Sequence, residues 1–253
     1  ATLPGADPTG FAFAPNGDVY VAAYKTSNVR RLSATGAAID VPVPFRAAGL
    51  VGPDNGITFG PDGNLYVPGF YSNSVIRFDP RTGISSVAVA KGAMGLTATR
   101  GILPEKDGSG LLITGENSGQ LLRLDLATGA VSVRASKLSN PTGLAFAPNG
   151  DLLILEGSMV RRFDPATGEV RGTLIAAGNG GIDGGVYLAV VAYSPAAPAP
   201  VPVVEYYHPG LDHYFISSLA GDINALDSGA LKGWARTGQV FKAYDASAAG
   251  TSP

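Results

Sequence analysis

One block of residues recurs along the chain, and this repetition restricts the possible folds more than any other feature. The block begins at Pro8 as PTGFAFAPNGDVYV, returns at Pro53 as PDNGITFGPDGNLYV and appears again at Pro141 as PTGLAFAPNGDLLI. Its turn glycines, Gly17, Gly63 and Gly150, are 46 and 87 residues apart. Because the second spacing is close to two periods, a further copy is expected between them.

The second half of the repeat supplies that missing copy. It ends at Gly36, Gly83, Gly129 and Gly168, which are 47, 46 and 39 residues apart. In the copy that ends at Gly129, the first half has lost the motif between residues 95 and 104, although the turn at Asp107-Gly108 is kept. The chain therefore contains four repeat units.

Each unit has the pattern of four β-strands. In the second unit, alternating apolar and polar residues predict strands at 56–59, 64–69, 74–78 and 84–90. Asn16-Gly17, Asp62-Gly63 and Asn149-Gly150 stand between the first two strands, where tight hairpins favour such dipeptides. Four-stranded units of this period indicate the blades of a β-propeller, because a single blade cannot cover its own apolar faces.

The predicted fold is therefore all-β: a β-propeller of four-stranded antiparallel blades over residues 1–194, with a small α+β module after it. Four blades are complete in the pattern, and part of a fifth is predicted at 185–193. The repeats resemble NHL-type repeats and, more loosely, the gluconolactonase (SMP-30-like) and streptogramin-lyase propellers. The resemblance covers residues 8 to about 177 and implies a six-bladed family, so we expect the ring to be incomplete in this chain.

The strand order predicts which residues lie together at one end of the ring. In antiparallel blades, the loops leading into strand one share an end with the loops between strands two and three, opposite the Asn-Gly turns. Non-repeating residues on a repetitive scaffold are a common place for function. The predicted ligand-binding face consists of Asp54, Asn55 and Asn140 from the first set of loops, and Tyr24, Phe70, Tyr71, Glu116, Asn117 and Glu156 from the second.

The sequence predicts no catalytic residues. It has no Gly-x-Ser-x-Gly elbow, phosphate loop or dinucleotide fingerprint. The resemblance to streptogramin lyases implies histidines in the channel, but His208 and His213 both lie beyond the repeats. The gluconolactonase resemblance implies a divalent metal held by Glu, Asn and Asp side chains. The motifs of that family do not match this sequence residue by residue, so no cofactor is predicted. Calcium or zinc in the channel is the alternative.

Four arginines, at positions 31, 77, 123 and 162, occupy the same place in each unit. A cationic ring is the functional interpretation of this pattern. The structural interpretation, which we favour, is that a residue repeated in every blade serves packing or ion pairing of the scaffold.

Composition restricts the partners. Charged residues make up 15% of the chain, the net charge is −2 and no basic block is present, so nucleic-acid binding is not expected. No apolar run is long enough for a membrane span. The chain has no cysteine and begins at Ala1. We expect an extracytoplasmic bacterial protein, whether secreted, periplasmic or at the cell surface, that belongs to a longer chain.

A Pro/Ala-rich linker at 195–202 separates the propeller from the small module at 203–253. The pattern in the module predicts a hairpin at 203–217, a helix at 218–226 capped by Ser218, and a second hairpin at 234–244. The module is similar to a short segment found in secreted bacterial proteins. His208, Asp212 and His213 could form a metal site there, although neighbouring aromatic residues favour a packed cluster.

The function predicted from these observations is binding or interaction, through loops presented at one face of the propeller. The ligand class stays open between protein, glycan and small molecule. The alternative is a metal-dependent hydrolase or lyase of the gluconolactonase-like class, and a third interpretation is a spacer within a longer surface protein.

Overall fold

The computed structural model describes residues 5–191 and 201–243. The chain divides into two compact units, Ala1–Val191 and Ala192–Pro253. Most of the predicted linker lies outside the described residues, while Val201 and Pro202 already belong to the first strand of the second unit.

The first unit contains four antiparallel sheets of four strands, each with its strands in chain order. Blade one comprises β1 (Pro8–Phe13), β2 (Val19–Ala23), β3 (Asn28–Leu32) and β4 (Ala38–Val43). Blade two comprises β5 (Thr58–Phe59), β6 (Leu65–Gly69), β7 (Ser74–Asp79) and β8 (Ile84–Val89). Blade three comprises β9 (Thr99–Pro104), β10 (Gly110–Gly115), β11 (Gln120–Asp125) and β12 (Val131–Ala135). Blade four comprises β13 (Pro141–Phe146), β14 (Leu152–Glu156), β15 (Met159–Phe163) and β16 (Val170–Ile175).

The predicted propeller blades are confirmed, including the third blade, whose first half had lost the repeat motif. In blade two, the strand boundaries agree with the prediction to within one residue except at β5, which is limited to Thr58–Phe59 instead of 56–59. Before this strand begins, Pro53 makes one isolated bridge to Gly69, the last residue of β6. The first segment of blade two therefore pairs with β6 at Pro53 and again at Thr58–Phe59, with a short unpaired stretch between them.

A glycine in each inner strand allows neighbouring blades to approach closely. A Cβ atom on Gly10 would lie 2.5 Å from Cα of Asn55, and one on Gly143 would lie 2.5 Å from the backbone nitrogen of Leu188. At Gly56 and Gly101 the obstructing atoms are backbone carbonyl oxygens of Arg100 and Thr142. The glycine of the Pro-x-Gly motif is therefore required by contact between inner strands.

Apolar side chains fill each interface between consecutive blades. Tyr20 and Ala22 of blade one pack with Leu65 and Ile76 of blade two in one continuous cluster. Equivalent clusters join blades two and three and blades three and four. Full burial of one leucine or isoleucine contributes about 1.5–3 kcal/mol, so the stacked faces dominate the stability of the ring.

Short 3-10 turns at Ala47–Gly49, Ala93–Gly95 and Asn179–Gly181 introduce successive inner segments. The third turn leads to the segment predicted as the start of a fifth blade. Residues 185–191 form no regular strand. They lie instead against β13, where the hydroxyl of Thr142 donates to the carbonyl of Gly185. They also contact the segment before β5, where the side-chain amide of Asn55 donates to the carbonyl of Val186. Residues 192 and 193 of that predicted blade lie outside the described range.

The second unit is a three-stranded antiparallel sheet with one helix. Its strands are β17 (Val201–His208), β18 (His213–Ser217) and β19 (Ala235–Ala243), in the order β18-β17-β19, and its helix is α1 (Ala220–Asp227). The first predicted hairpin is present as β17–β18. The helix starts two residues later than predicted, after Leu219, and the Ser217 hydroxyl rather than Ser218 accepts from the Leu219 amide.

The predicted second hairpin at 234–244 is wrong within the described residues, which end at 243. Thr237-Gly238 does not reverse the chain but forms an irregularity in the single strand β19, opposite the step from Val204 to Tyr206. Gly238 has a φ of 87°, which a bulge accommodates as well as a turn does. No helix in the described part of the chain is long and apolar enough to cross a membrane.

Candidate functional site

Six side chains meet at the end of the ring where the inner strands begin. We call this set the mouth cluster, and it consists of Tyr24, Asp54, Phe70, Tyr71, Arg100 and Glu116. Tyr24, Phe70 and Glu116 each directly follow the second strand of a blade, whereas Asp54 precedes β5 and Arg100 lies in β9. Consecutive antiparallel blades therefore deliver these residues to one place.

Three aromatic rings form one half of the cluster. The ring centres of Tyr24 and Tyr71 are 5.4 Å apart, those of Phe70 and Tyr71 are 5.2 Å apart, and those of Tyr24 and Phe70 are 6.3 Å apart. Tyr71 packs on the backbone of Gly52, where an added Cβ would lie 2.8 Å from its ring. Tyr71 is nevertheless 61% exposed. The arrangement holds one tyrosine ring firmly while leaving it open to solvent.

Arg100 links the aromatic half of the cluster to two carboxylates. Its Nη1 lies 3.1 Å from Oδ2 of Asp54, and its Nε donates to Oε2 of Glu116. Its guanidinium carbon lies 4.7 Å from the centre of the Phe70 ring, within the range of a cation–π contact. Asp54 is only 2% exposed, and its Oδ1 also accepts from the backbone of Asn55. One half-buried guanidinium thus forms ion pairs with two carboxylates.

Burial sets the protonation behaviour of the cluster. Desolvation raises the pKa of Asp54 above its ordinary value, although Arg100 acts in the opposite direction. Burial, followed by the neighbouring Tyr71 hydroxyl, raises the pKa of Tyr24 to about 12. Near neutral pH the Tyr24 phenol is therefore protonated and acts as a hydrogen-bond donor or acceptor, not as a base.

The structure brings together five of the nine predicted site residues, and separates the other four. Tyr24, Asp54, Phe70, Tyr71 and Glu116 belong to the mouth cluster. Glu156 is buried, makes two hydrogen bonds with Arg161 and accepts from the amide of Ser139. Asn117 and Asn140 are exposed. Asn55 is buried and turned toward Val186.

Arg100 is the member of the cluster that the sequence analysis missed. It lies in the stretch of blade three that had lost the repeat motif. The signal that could have found it is the spacing of Gly10, Gly56, Gly101 and Gly143, since Arg100 stands directly before Gly101 as Asn55 stands before Gly56. Thr9 and Thr142 hold the same place in blades one and four.

A cavity of about 480 Å³ lies between the inner strands. Its walls expose polar and apolar surface in similar amounts and include Phe11, Phe13, Phe59, Ile102, Leu144 and Tyr187. Asn55 is a polar residue of this wall, and its Oδ1 accepts no hydrogen bond from the described residues.

The residues considered for a channel metal do not fit one as they are arranged. Glu116 is paired with Arg100 and Glu156 with Arg161, so a cation would have to displace a guanidinium from each. Residues 5–191 and 201–243 contain no group of three or more His, Asp or Glu side chains placed to hold a metal. This holds for the second unit too, where His208 packs on Trp234 and Asp212 accepts from the Tyr207 hydroxyl.

Two of the four recurring arginines, Arg31 and Arg123, form ion pairs of the scaffold. Arg31 bonds to Asp40 and lies near Asp18, and Arg123 bonds to Glu105 and Asp125. Arg77 is exposed, and Arg162 is half-buried. Since the pairs join strands within a blade, they support the structural interpretation of this repeat.

Comparisons with known proteins define the class of fold. The sequence matches no family model and no curated protein. Among solved structures, a streptogramin B lyase is 20% identical, with a TM-score of 0.57 over 71% of this chain and 58% of the lyase. A structure of the nidogen/laminin complex matches at 17% identity and a TM-score of 0.61, over 74% of this chain and 70% of the other.

A protein named only provisionally as a gluconolactonase is 16% identical, with a TM-score of 0.55 over 68% of this chain and 65% of its own. The chain thus spans a little over half of the lyase and about two thirds of the gluconolactonase-like structure. At these identities the likeness concerns the fold alone. The first unit is a β-propeller whose structural neighbours include both enzymes and a binding protein.

Proposed function

We propose that this protein is an extracytoplasmic binding protein whose propeller presents a ligand site at the mouth cluster. The observation that carries the proposal is the convergence of six non-repeating side chains at one end of a repetitive scaffold. Aromatic packing and ion pairs hold these side chains in place before a ligand arrives, which lowers the entropic cost of binding. The ligand is a small molecule, a glycan or a protein.

The protonation states support binding over catalysis. A general base needs a pKa near the working pH and access to the substrate proton. Asp54 is almost fully buried beside Arg100, and Tyr24 keeps its proton up to a pKa of about 12. These groups are arranged to position hydrogen bonds rather than to transfer protons.

The alternative function is a metal-dependent hydrolase or lyase of the gluconolactonase-like class. It is favoured by the presence of a streptogramin B lyase and a gluconolactonase-like protein among the structures with the same fold. It is disfavoured by the pairing of Glu116 and Glu156 with arginines. A calcium or zinc ion would require those carboxylates to leave their partners.

The location outside the cytoplasm is part of the proposal. It rests on the similarity of the segment after residue 203 to a module of secreted bacterial proteins. Immunodetection in culture medium, envelope and cytoplasmic fractions of the producing organism tests it, and a signal confined to the cytoplasm would contradict it.

Thermal unfolding of the full chain in the presence of a mixed panel of peptides, oligosaccharides and small metabolites tests the binding function. A ligand at a hundred times its Kd stabilises the folded state by about 2.7 kcal/mol and raises Tm. We expect at least one member to raise Tm, and Tyr71→Ala to abolish that shift. Arg81→Ala is the matched control, since Arg81 is exposed at the Thr-Gly turn of blade two.

Two results would contradict the proposal. One is a ligand-induced shift that survives Tyr71→Ala and Arg100→Ala alike. The other is enzyme-like cleavage of a lactone or cyclic depsipeptide by the purified chain, with calcium or zinc supplied, which would establish the alternative function.

A further inference from the structure

The mouth cluster combines an open aromatic ring with charges that are already paired. We propose that its ligand is a neutral saccharide, bound with one sugar ring stacked on Tyr71 and its hydroxyl groups bonded to Arg100 and Glu116. This inference rests on the proposed binding function and specifies its ligand class.

The position of Tyr71 provides the stacking surface. Its ring is held by Phe70 and Tyr24 at 5.2 and 5.4 Å and by the backbone of Gly52, so little freedom remains to be lost on binding. It stays 61% exposed. An aromatic face carries partial negative charge and attracts the weakly positive C–H groups that a pyranose ring presents on one side.

The paired charges discriminate between ligand classes. An anionic ligand would compete with Asp54 and Glu116 for Arg100, and a cationic ligand would compete with Arg100 for both carboxylates. Either exchange would strip a buried charge of its partner, which is costly. A hydroxyl group avoids this cost, because it can donate to a carboxylate and accept from a guanidinium while the ion pairs persist.

Free hydrogen-bonding capacity remains in the cluster for such hydroxyl groups. Glu116 accepts from Arg100 through Oε2, while its Oε1 accepts no hydrogen bond from the described residues and its side chain is 22% exposed. Arg100 uses Nε and Nη1 in its two ion pairs, and its Nη2 bonds no residue of the described ranges. Neighbouring hydroxyls of one sugar match the fork of guanidinium and carboxylate atoms.

Isothermal titration calorimetry of the full chain with neutral hexasaccharides tests the inference. The probes are hexamers of β-1,4-linked glucose, xylose, mannose and N-acetylglucosamine, with oligogalacturonate as the charged comparison. We expect at least one neutral hexamer to bind and oligogalacturonate not to bind. Tyr71→Ala should weaken the affinity at least about tenfold, while Tyr71→Phe, which keeps the ring, should stay within about threefold.

Tyr214→Ala is the matched control, because Tyr214 is 65% exposed in the second unit and should leave the affinity unchanged. Circular dichroism establishes that each variant is folded. The inference is overturned if no neutral hexamer binds with a Kd of about 1 mM or tighter, or if Tyr71→Ala binds as well as the wild type. If a peptide or metabolite binds in a Tyr71-dependent way while no saccharide does, the ligand class is wrong and the binding function stands. If substitutions in the mouth cluster affect no ligand, both fail.

Discussion

The two ends of the propeller are built from the same strands but carry different kinds of residues. At the end with the hairpin turns, one motif returns in every blade. Backbone amides at Asp18, Asn64, Ser109 and Asp151 each donate to a side-chain oxygen two residues earlier. At the mouth, the residues that directly follow the second strands of the first three blades are Tyr24, Phe70 and Glu116.

This difference separates what the fold requires from what it permits. Only a few residue types fit a tight turn, so the same residue types recur wherever the turn recurs. Loops at the mouth are free of that requirement, and their side chains can be chosen for a site. The comparison predicts that substitutions at the mouth and at the turns differ in the size of their effect on stability. It also predicts that the pH dependence of stability has opposite signs at the two ends.

The largest expected effect concerns two glycines of blade two, one in each region. Gly56→Ala would place a Cβ against backbone atoms of β9, which cannot move without separating blades two and three. We expect it to lower the free energy of unfolding by about 3 kcal/mol or more. Gly63→Ala lies in open space at a φ of 77° and should cost only about 1 kcal/mol.

Urea unfolding followed by circular dichroism measures this difference. Trp234, the single tryptophan, lies in the second unit, so its fluorescence does not report on the propeller. Equal losses for Gly56→Ala and Gly63→Ala would mean that inner-strand contact does not set the stability of the ring.

Removal of the guanidinium that joins the mouth cluster should have the next largest effect. Arg100→Ala leaves Asp54 buried without a cation, and we expect a loss of about 3 kcal/mol. Arg81→Ala breaks an exposed pair with Asp79 at the turn end and should leave the free energy of unfolding almost unchanged. Urea midpoints measure both.

Adding Asp54→Asn to Arg100→Ala should recover part of the loss, because the uncompensated charge is removed. If the double variant is no more stable than Arg100→Ala alone, desolvation of Asp54 is not the cause of the instability.

The pH dependence of stability should have opposite signs at the two ends. The folded-state pKa of Asp54 is raised, so the native state binds this proton more tightly than the unfolded chain does. Stability from Asp54 is thus greatest at low pH and falls as pH rises past the ordinary carboxyl pKa to the raised one. Hydrogen bonds from Arg123 and Thr128 lower the pKa of Asp125 at the turn end to about 2, so its contribution is lost as pH falls from about 4 toward 2.

Urea midpoints measured across the acid range for three proteins check this prediction. Relative to the wild type, Asp54→Asn should be more stable at pH 7 than at pH 3, whereas Asp125→Asn should lose its disadvantage as the pH falls. Parallel pH curves for the two variants would contradict the assignment of opposite shifts.

The sequence predicted the ring better than the site, for a physical reason. Turn glycines and inner-strand glycines are required by backbone geometry, which repeats from blade to blade. The positions of Gly17 and Gly143 in their blades could therefore be predicted from spacing alone. Leu50, Leu96 and Ile182, which follow the three 3-10 turns, carry a similar signal that was overlooked. Arg100 could not be linked to Glu116 or Phe70 in this way, because its pairing depends on side-chain reach between loops of different blades.

Glu156 also shows that sequence position alone does not predict the partner of a side chain. Its place at the end of β14 predicts a mouth residue. Its carboxylate is nevertheless taken by Arg161, a partner five residues later on the next strand. Position along a repeat predicts where a side chain starts, whereas the local partner decides whether it reaches a ligand.

The smallest expected effect distinguishes two buried phenols. Burial raises the pKa of both Tyr24 at the mouth and Tyr66 near the turns, but their second causes differ: the Tyr71 hydroxyl for Tyr24 and the Asp62 carboxylate for Tyr66. Tyr71→Phe should therefore lower the pKa of Tyr24 from about 12, without returning it to the ordinary value of 10 because burial persists, and leave Tyr66 unchanged. Near-ultraviolet absorbance titrations, with Tyr24→Phe and Tyr66→Phe to assign the transitions, measure both. A shift of Tyr66 in Tyr71→Phe would show that the two ends of the ring are coupled.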